Sequence, residues 1–286
     1  MKWYAFFSQS GSEILEVSNR LGIKPDKVFT NKKSKDGINQ ELLNNFDIEF
    51  INHNDLDDVF SQFRIYDDII TLHGYLRIIP DFIALCYNIY NGHPGWITKY
   101  PELKGKDPQK KAWSLKHTTF GSVIHKVTPE VDDGEVLKER TITLTEPFDT
   151  NTVIKELHKV SIDLWVEFLT EKVKEQKIVE EIEKTFPETT RELRNLQKEE
   201  YKLFCKKQYD YGTGNISVGL DLEKRENRTA SLSNLIFRCN DKVQRLLNLV
   251  VVNKREAQNE PVMDAFDDLS LYSKIAKIVE KGYWGK

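Results

Sequence analysis

An amide, an imidazole and a carboxylate form the smallest set of side chains that can carry acyl transfer to an amine. They provide a donor for the developing oxyanion, a group that handles protons, and an anion that orients it. Asn91, His93 and Asp132 supply those three types. Asn91 and His93 stand in Asn91-Gly92-His93-Pro94, directly after an apolar run; Asp132 stands in Asp132-Asp133-Gly134, seven residues past His125 at the end of another. A lone histidine in such a position is usually a satisfied polar residue. Three complementary types, each at a strand end facing a cleft, make the catalytic reading worth pursuing.

The elements that must position them follow from periodicity. Trp3 to Phe7, Lys27 to Thr30, Asp47 to Ile51 and Ile69 to Leu72 read as strands, with helical patterns over Ser12–Leu21, Asn39–Asn45 and Leu56–Phe63 between them. Pro80 opens a short helix through Cys86, and Asn88-Ile89-Tyr90 leads as a buried strand into Asn91. Gly121 to Val127 and Val136 to Leu144 form two further strands, and a helix from Thr150 to Glu171 closes the domain. Strand–helix alternation of this kind implies a mostly parallel open sheet covered on both faces, an α/β fold with ligands at the carboxyl ends of its strands. The first such end carries Gly11-Ser12-Glu13, where small residues let the backbone aim amide groups from a helix N-terminus at an anion.

On these residues the chain resembles the folate-dependent formyltransferases, and within them the glycinamide ribonucleotide (GAR) formyltransferases. The family pattern of N-x-H-P, then G-x-x-x-H, then D-x-G is met by Asn91/His93/Pro94, Gly121/His125 and Asp132/Gly134. The segment Gly74-Tyr75-Leu76-Arg77-Ile78-Ile79 looks like the G-Y-M-R-I-L stretch whose backbone grips the pterin. The resemblance spans roughly residues 1 to 172. It implies a Rossmann-like formyltransferase fold, Asn91, His93 and Asp132 as catalytic residues, and 10-formyltetrahydrofolate bound by Leu76, Arg77, Ile78, Ile79, Val127 and Asp132. It further implies the acceptor's phosphate at Gly11, Ser12 and Glu13, and no metal in the transferase site. The chain also departs from the pattern. Glu13 replaces an asparagine, Thr98 replaces a proline in a loop lengthened by about three residues, and Leu157 stands at the family's sugar-binding acidic position, although His158, Trp165 and Phe168 keep its H-x-x-x-x-x-x-W-x-x-F spacing. These departures imply that GAR is a poor acceptor. Lys104, Lys106, Lys110 and Lys111 make the lengthened loop basic, either as a solvated helix start or as a contact for an anionic ligand.

From Glu171 to Glu200 the composition shifts to a charge-rich run broken by Phe186-Pro187, read as a solvated helix. Helical periodicity then returns, which divides the chain into a formyltransferase domain over 1–172, a helical linker over 173–198 and an all-helical domain over 199–286. Asp241, Lys242 and Arg245 share one helix, and Asp264 and Asp268 another, each set on one face. The pattern D-Y-G-x-x-N-I, N-D-K-x-x-R-L and E-P-x-x-D-x-x-x-D-L resembles the phage-associated nucleotide modification associated domain and, more distantly, the MazG-like nucleotide pyrophosphohydrolases. That resemblance implies a nucleotide bound near Asp241, Lys242, Arg245, Asp264 and Asp268. It also implies magnesium held by acidic residues, Glu200, Glu260 and Asp267 among them. Read plainly, the same charges are ordinary helix-packing ion pairs. The acceptor implied for the first domain is then a phosphorylated amine that is itself a nucleotide, as in phage base modification, with GAR of purine biosynthesis as the alternative. A pyrophosphohydrolase activity of the helical half and a role in homo-oligomerisation are the other readings.

Composition sets the bounds. At 286 residues the chain accommodates two cores. A net charge of −3 gives no basic face for a nucleic-acid polymer. No stretch approaches the ~18 apolar residues of a membrane span, and the start has no long apolar leader core, so a cytoplasmic location is expected. Cys86, Cys205 and Cys239 are odd in number and scattered, as suits reduced packing residues.

Overall fold

The computed structural model describes residues 2–65 and 67–286. The chain forms two units, Met1–Glu180 and Glu181–Lys286. The first is built on β1 (Trp3–Phe7), β2 (Lys27–Thr30), β3 (Ile48–Phe50), β4 (Ile69–Leu72), β5 (Ile89–His93), β6 (Thr119–Lys126) and β7 (Val136–Thr143), hydrogen-bonded in the order β3-β2-β1-β4-β5-β6-β7. The pairs from β3 to β5 are parallel, whereas β6 and β7 return antiparallel. The fold is therefore the mostly parallel Rossmann-like sheet that alternation implies. Its strand order reverses between β1 and β4, and crevices of this kind outside the carboxyl ends of a sheet receive ligands.

Every residue of β1 is buried, because helices cover both faces. Trp3, Ala5 and Phe7 face one cluster with Trp165 and Phe168; Tyr4 and Phe6 face another with Phe60, Ile79 and Ile83. The covering helices are α1 (Ser12–Leu21), α2 (Gln40–Asn45), α3 (Leu56–Phe60), α4 (Asp81–Cys86), α5 (Pro108–Ser114) and α6 (Thr150–Thr185). Gly11 caps α1 in the left-handed region at φ 72°, and an added Cβ would stand 2.3 Å from Leu42 Cδ2, so only glycine serves there. In α6 the apolar face stops at Leu169, but the helix continues past Glu171, where its periodicity ends, to Thr185. The strong helix formers of the charge-rich run and pairs such as Lys172–Glu175 sustain it without a core.

The second unit consists of α7 (Pro187–Tyr211), the short turn α8 (Gly214–Ser217), α9 (Arg225–Leu246), which widens into a π-helical stretch over Leu247–Val252, and α10 (Val262–Glu280). Ile216, Leu235, Leu271, Ile275, Val279 and Trp284 form its core. No helix among the described residues is long and apolar enough to cross a membrane.

Trp165 ties α6 to the sheet: it is fully buried and fills the space a Cβ on Gly92 would take, its Nε1 lying 2.7 Å from that point. Trp165→Ala should lower the unfolding free energy of the first unit by ~3–5 kcal/mol, read as a shift of the urea midpoint. A shift under ~1 kcal/mol would mean that this packing does not hold the two elements together.

Candidate active site

β5 pairs antiparallel with the carboxyl-terminal half of β6, Asn91 opposite His125, and the pairing of β6 with β7 is irregular at Ile124/His125. Because Gly92 turns its missing side chain toward Trp165, its neighbours Asn91 and His93 face the other side of the sheet. The turn after β6 brings Asp132 back to them. Asp132 itself adopts a left-handed φ of 53°, and a Cβ on Gly134 would lie 1.8 Å from the Lys126 carbonyl oxygen, which accounts for the glycine of the D-x-G motif.

Four side chains converge. Asn91 Nδ2 donates to Asp132 Oδ1 at 3.3 Å and lies 3.2 Å from His125 Nε2. His93 Nδ1 stands 3.2 Å from Asp132 Oδ2 and His125 Nε2 3.3 Å from Asp132 Oδ1. The far nitrogen of each ring faces a backbone carbonyl, His93 Nε2 that of Leu103 at 2.9 Å and His125 Nδ1 that of Lys126 at 2.9 Å. A carbonyl only accepts, so His93 carries its proton on Nε2 and His125 on Nδ1. The backbone N–H of Gly105 donates to Asp132 Oδ2 at 2.8 Å. Leu103 and Gly105 belong to the lengthened loop, whose 3-10 turn Pro101–Leu103 closes over the histidine. Its basic residues face outward: Lys104 pairs with Asp133, Lys110 with Asp107.

Burial sets the protonation pattern. It holds His93 below the ordinary histidine value, with Asp132 and the Leu103 carbonyl only partly offsetting it. Burial pushes Asp132 up, but in the acid range where a carboxyl titrates, the contact with His125, the positive charge then carried by His93 and the Gly105 N–H outweigh it, leaving the carboxyl below its ordinary value. At neutral pH the site thus holds an ionised carboxylate beside a neutral His93 whose Nδ1 lone pair points at it. One proton is missing between those two atoms.

The other sequence-derived positions are distributed as follows. Ile79 is buried in the cluster against which Val127 packs, so the two proposed folate segments meet. Leu76 and Ile78 leave 65% and 67% of their surface exposed, and Phe82 and Leu85 on α4 continue the apolar face. The Leu76 N–H is held by Ser8 Oγ at 2.9 Å, and Arg77 is exposed. Gly11 and Ser12 sit at the α1 N-terminus, and the Glu13 carboxylate that follows them lies 2.7 Å from His73 Nδ1. Leu157 is buried in an apolar cluster.

In the second unit Asp268 lies between two lysine ammonium groups, Lys207 and Lys242, each 2.7 Å away. Arg245 reaches Glu260 and the carbonyls of Glu260 and Pro261, Glu200 pairs with Lys274, and Asp241 is exposed. Among the described residues no three His, Cys, Asp or Glu side chains gather at metal-binding distance. A carboxylate already neutralised by two lysines does not fit a magnesium ligand.

A mostly parallel sheet with an Asn–His–Asp cluster at its carboxyl edge defines a class of enzyme-like α/β domains. A family model described as formyl transferase matches residues 10–169, more than half of the chain, which belongs to this family. Phosphoribosylglycinamide formyltransferase of Bacillus subtilis (strain 168) is 27% identical over 105 residues, 36% of this chain and 52% of that protein. Methionyl-tRNA formyltransferase of Thermotoga neapolitana is 26% identical over 152 residues, 51% of this chain and 43% of that protein. The alignments thus span about half the length of these curated relatives or less. In fold, phosphoribosylglycinamide formyltransferase from Bacillus halodurans superimposes with a TM-score of 0.52 at 17% identity, over 60% of this chain and 97% of that one. The Streptococcus pneumoniae TIGR4 structure of the same name gives 0.52 at 20% identity, over 60% and 99%.

The depressed Asp132 pKa has a consequence for stability. Its folded value lies below the ordinary 3.8, so the carboxylate's contribution is complete above that value and is lost as pH falls through the folded one. The stability gap between wild type and Asp132→Asn, measured by urea unfolding, should be constant from pH 7 to about pH 5 and shrink steadily below pH ~4. A gap independent of pH would show that the charge is not its source.

Proposed function

We propose that the first unit transfers a formyl group from 10-formyltetrahydrofolate to the amine of a small phosphorylated acceptor, and that this acceptor is a nucleotide. The observation that carries the reading is the convergence of Asn91, His93 and Asp132 at the ligand edge of a formyl transferase family sheet. 10-Formyltetrahydrofolate would supply the formyl carbon: the amine nitrogen bonds to that carbon, the bond from it to the folate N10 breaks, and tetrahydrofolate leaves with the proton that the amine gave up. The exposed apolar face of Leu76, Ile78, Phe82 and Leu85, with Ile79 and Val127 behind it, fits a flat heterocycle, and the 76–79 backbone offers it amide and carbonyl partners.

In the resting arrangement Asn91 spends its amide on Asp132 and His125 through bonds of 3.2–3.3 Å, long enough to be exchanged for a stronger acceptor. The formyl oxygen, as it gains charge, is that acceptor, and a preorganised donor of this kind is typically worth ~3–4 kcal/mol in the transition state. The proton leaving the amine goes to the gap between His93 Nδ1 and Asp132 Oδ2, where it relieves the facing lone pairs. Leu103 and Gly105 keep the ring and carboxylate from turning away. The helical unit's resemblance to a nucleotide-associated domain favours a nucleotide as the ligand class, with Asp241, Lys242, Arg245 and Asp264 as candidate contacts for a nucleotide bound to that unit itself.

The test is a screen of aminated nucleotides and GAR for formyl transfer dependent on 10-formyltetrahydrofolate, followed by mass spectrometry. An aminated nucleotide should be formylated faster than GAR; failure of every amine to gain a formyl group would overturn the reading. His93→Ala and Asp132→Asn should each lower kcat by ~10²–10³ while remaining folded by circular dichroism, and near wild-type turnover of either would refute the catalytic assignment.

The folate placement makes its own prediction. Ile78 is exposed, so Ile78→Val should change folate affinity little, whereas Ile78→Pro, which removes an amide donor and fixes φ, should weaken it ~10-fold or more. Equal affinities in a fluorescence titration would move the folate site elsewhere.

A further inference from the structure

The helical unit holds a hollow of about 260 Å³ between α7, α8, α9 and α10, and none of Asp241, Lys242, Arg245 or Asp264 lines it. Its apolar lining includes Ile216, Leu271, Ile275 and Trp284, four of the six buried side chains that make up the core of this unit. Core side chains normally interdigitate and leave few voids larger than a water molecule. Here most of the core gives one side to an open space, and the rings of Phe204 and Tyr272 border the same space. Trp284 is fixed there by its Nε1–H, donated to the Thr213 carbonyl at 3.0 Å. Larger apolar side chains would close the hollow and strengthen a small core, so its upkeep points to an occupant.

The polar lining carries an excess of positive charge. Lys207, Arg238 and Asp268 come to the hollow from three different helices, and Lys242 joins them through Asp268, which lies 2.7 Å from both lysine ammonium groups. Burial pushes the Asp268 carboxyl up, but the two lysines outweigh it and hold it below its ordinary value. Three cations and one carboxylate leave a net charge of +2 on this cluster. Arg238 is set by Asn215, whose Oδ1 accepts from it at 3.1 Å and whose backbone carbonyl accepts at 3.0 Å, and its guanidinium lies 6.0 Å from the centre of the Tyr272 ring. A guanidinium has five N–H groups, so donors are left for a ligand. With its side-chain oxygen engaged by Arg238, Asn215 has its amide N–H groups to offer, and Gln208 brings a second amide to the lining.

We propose that this hollow binds a nucleoside monophosphate, with the heterocycle against Phe204, Tyr272 and Trp284, its polar edge on the Asn215 and Gln208 amides, and the phosphate taking hydrogen bonds from Arg238 and Lys207. The inference rests on the reading above that the helical unit takes a nucleotide, and it puts that ligand away from Asp241, Arg245 and Asp264. Aromatic walls select a flat ring. Amides select a ring edge that carries both donors and acceptors, which a plain aryl group lacks. A phosphate monoester carries about −1.5 to −2 at neutral pH, which matches the surplus of the cluster. The hollow is smaller than the ~300–1,000 Å³ of sites for drug-sized ligands, enough for one base with its phosphate at the rim and too small for a second base. Fixed lysine and arginine charges do the neutralising, so this site requires no metal ion.

The test is titration calorimetry of the full-length protein, in buffer containing EDTA, with AMP and CMP as probes and with adenosine, cytidine and ATP for comparison. At least one monophosphate should bind ~10-fold or more tightly than its nucleoside, and ATP should bind more weakly than AMP. Arg238→Gln should cut the preference for the monophosphate to about threefold or less, a change in selectivity that a merely structural role would not produce. Gln208→Ala, which removes only an amide from a half-buried helical position, should weaken the monophosphate about threefold or more and serves if thermal melts show Arg238→Gln unfolded. Asp264→Asn should bind as wild type does. Equal affinity of monophosphate and nucleoside, tighter binding of ATP than of AMP, or a preference unchanged in both lining variants overturns the proposal. Loss of binding in Asp264→Asn with none in the lining variants leaves the nucleotide reading of this unit standing and overturns this placement, whereas absence of any nucleotide binding overturns both. Binding is read here and not turnover, so a protein that binds the monophosphate in this way but formylates nothing refutes the proposed reaction and leaves this site standing.

Discussion

One carboxylate constrains the first unit. Asp132 takes hydrogen bonds from the Asn91 amide and the Gly105 backbone N–H and lies against two imidazoles, and an ionised group in so buried a place needs those donors. The requirement propagates outward. The turn that returns Asp132 to the sheet adopts a left-handed residue and a glycine pressed against Lys126, and the loop after Pro94 must be long enough to deliver Leu103 and Gly105. Gly92 must stay bare so that Trp165 can seal the sheet beneath the two residues that flank it. These are consequences of placing one negative charge at the end of β5.

The same arrangement suits the proposed transfer without leaving the site unstable. Each imidazole has one nitrogen pinned by a backbone carbonyl, so neither ring can flip to satisfy itself differently. The arrangement lacks one proton and contains bonds long enough to be exchanged. Both shortages are met by a reaction that releases a proton and develops charge on an oxygen. A site with every polar atom optimally paired would have nothing to gain from the transition state.

Much of this was legible in the sequence, and the limits have physical reasons. The strands β1, β2 and β4 fall where apolar runs place them, because strands buried on both faces need uninterrupted apolar residues. Asn91, His93 and Asp132 announce themselves by residue type and by glycines whose neighbours leave no room for a Cβ. Leu103 and Gly105 act through backbone atoms, so their residue types carry no signal. His73 could have been suspected, a histidine standing just before Gly74 at a strand end, but its partner Glu13 lies 60 residues away and only the β1–β4 pairing brings the two together. The onward run of α6 past Leu169 escaped periodicity because it buries nothing there. For the helical unit the charges were visible and their partners were not: Asp268 looked available for a cation until Lys207, from another helix, was seen to occupy it.

The sheet itself then limits what the acceptor can be. The proposed phosphate turn follows β1 and the proposed proton gap lies at the end of β5, with β4 between them, so the two are two strand spacings apart, about 10 Å along the edge. They also open to opposite faces, since Glu13 lies on the Trp165 side and His93 on the other. A bound molecule that reaches both must cross the sheet edge past the end of β4. An acceptor with its amine one or two bonds from its phosphate cannot span this distance. A ring carrying the phosphate on one side and the amine on an arm at the other can.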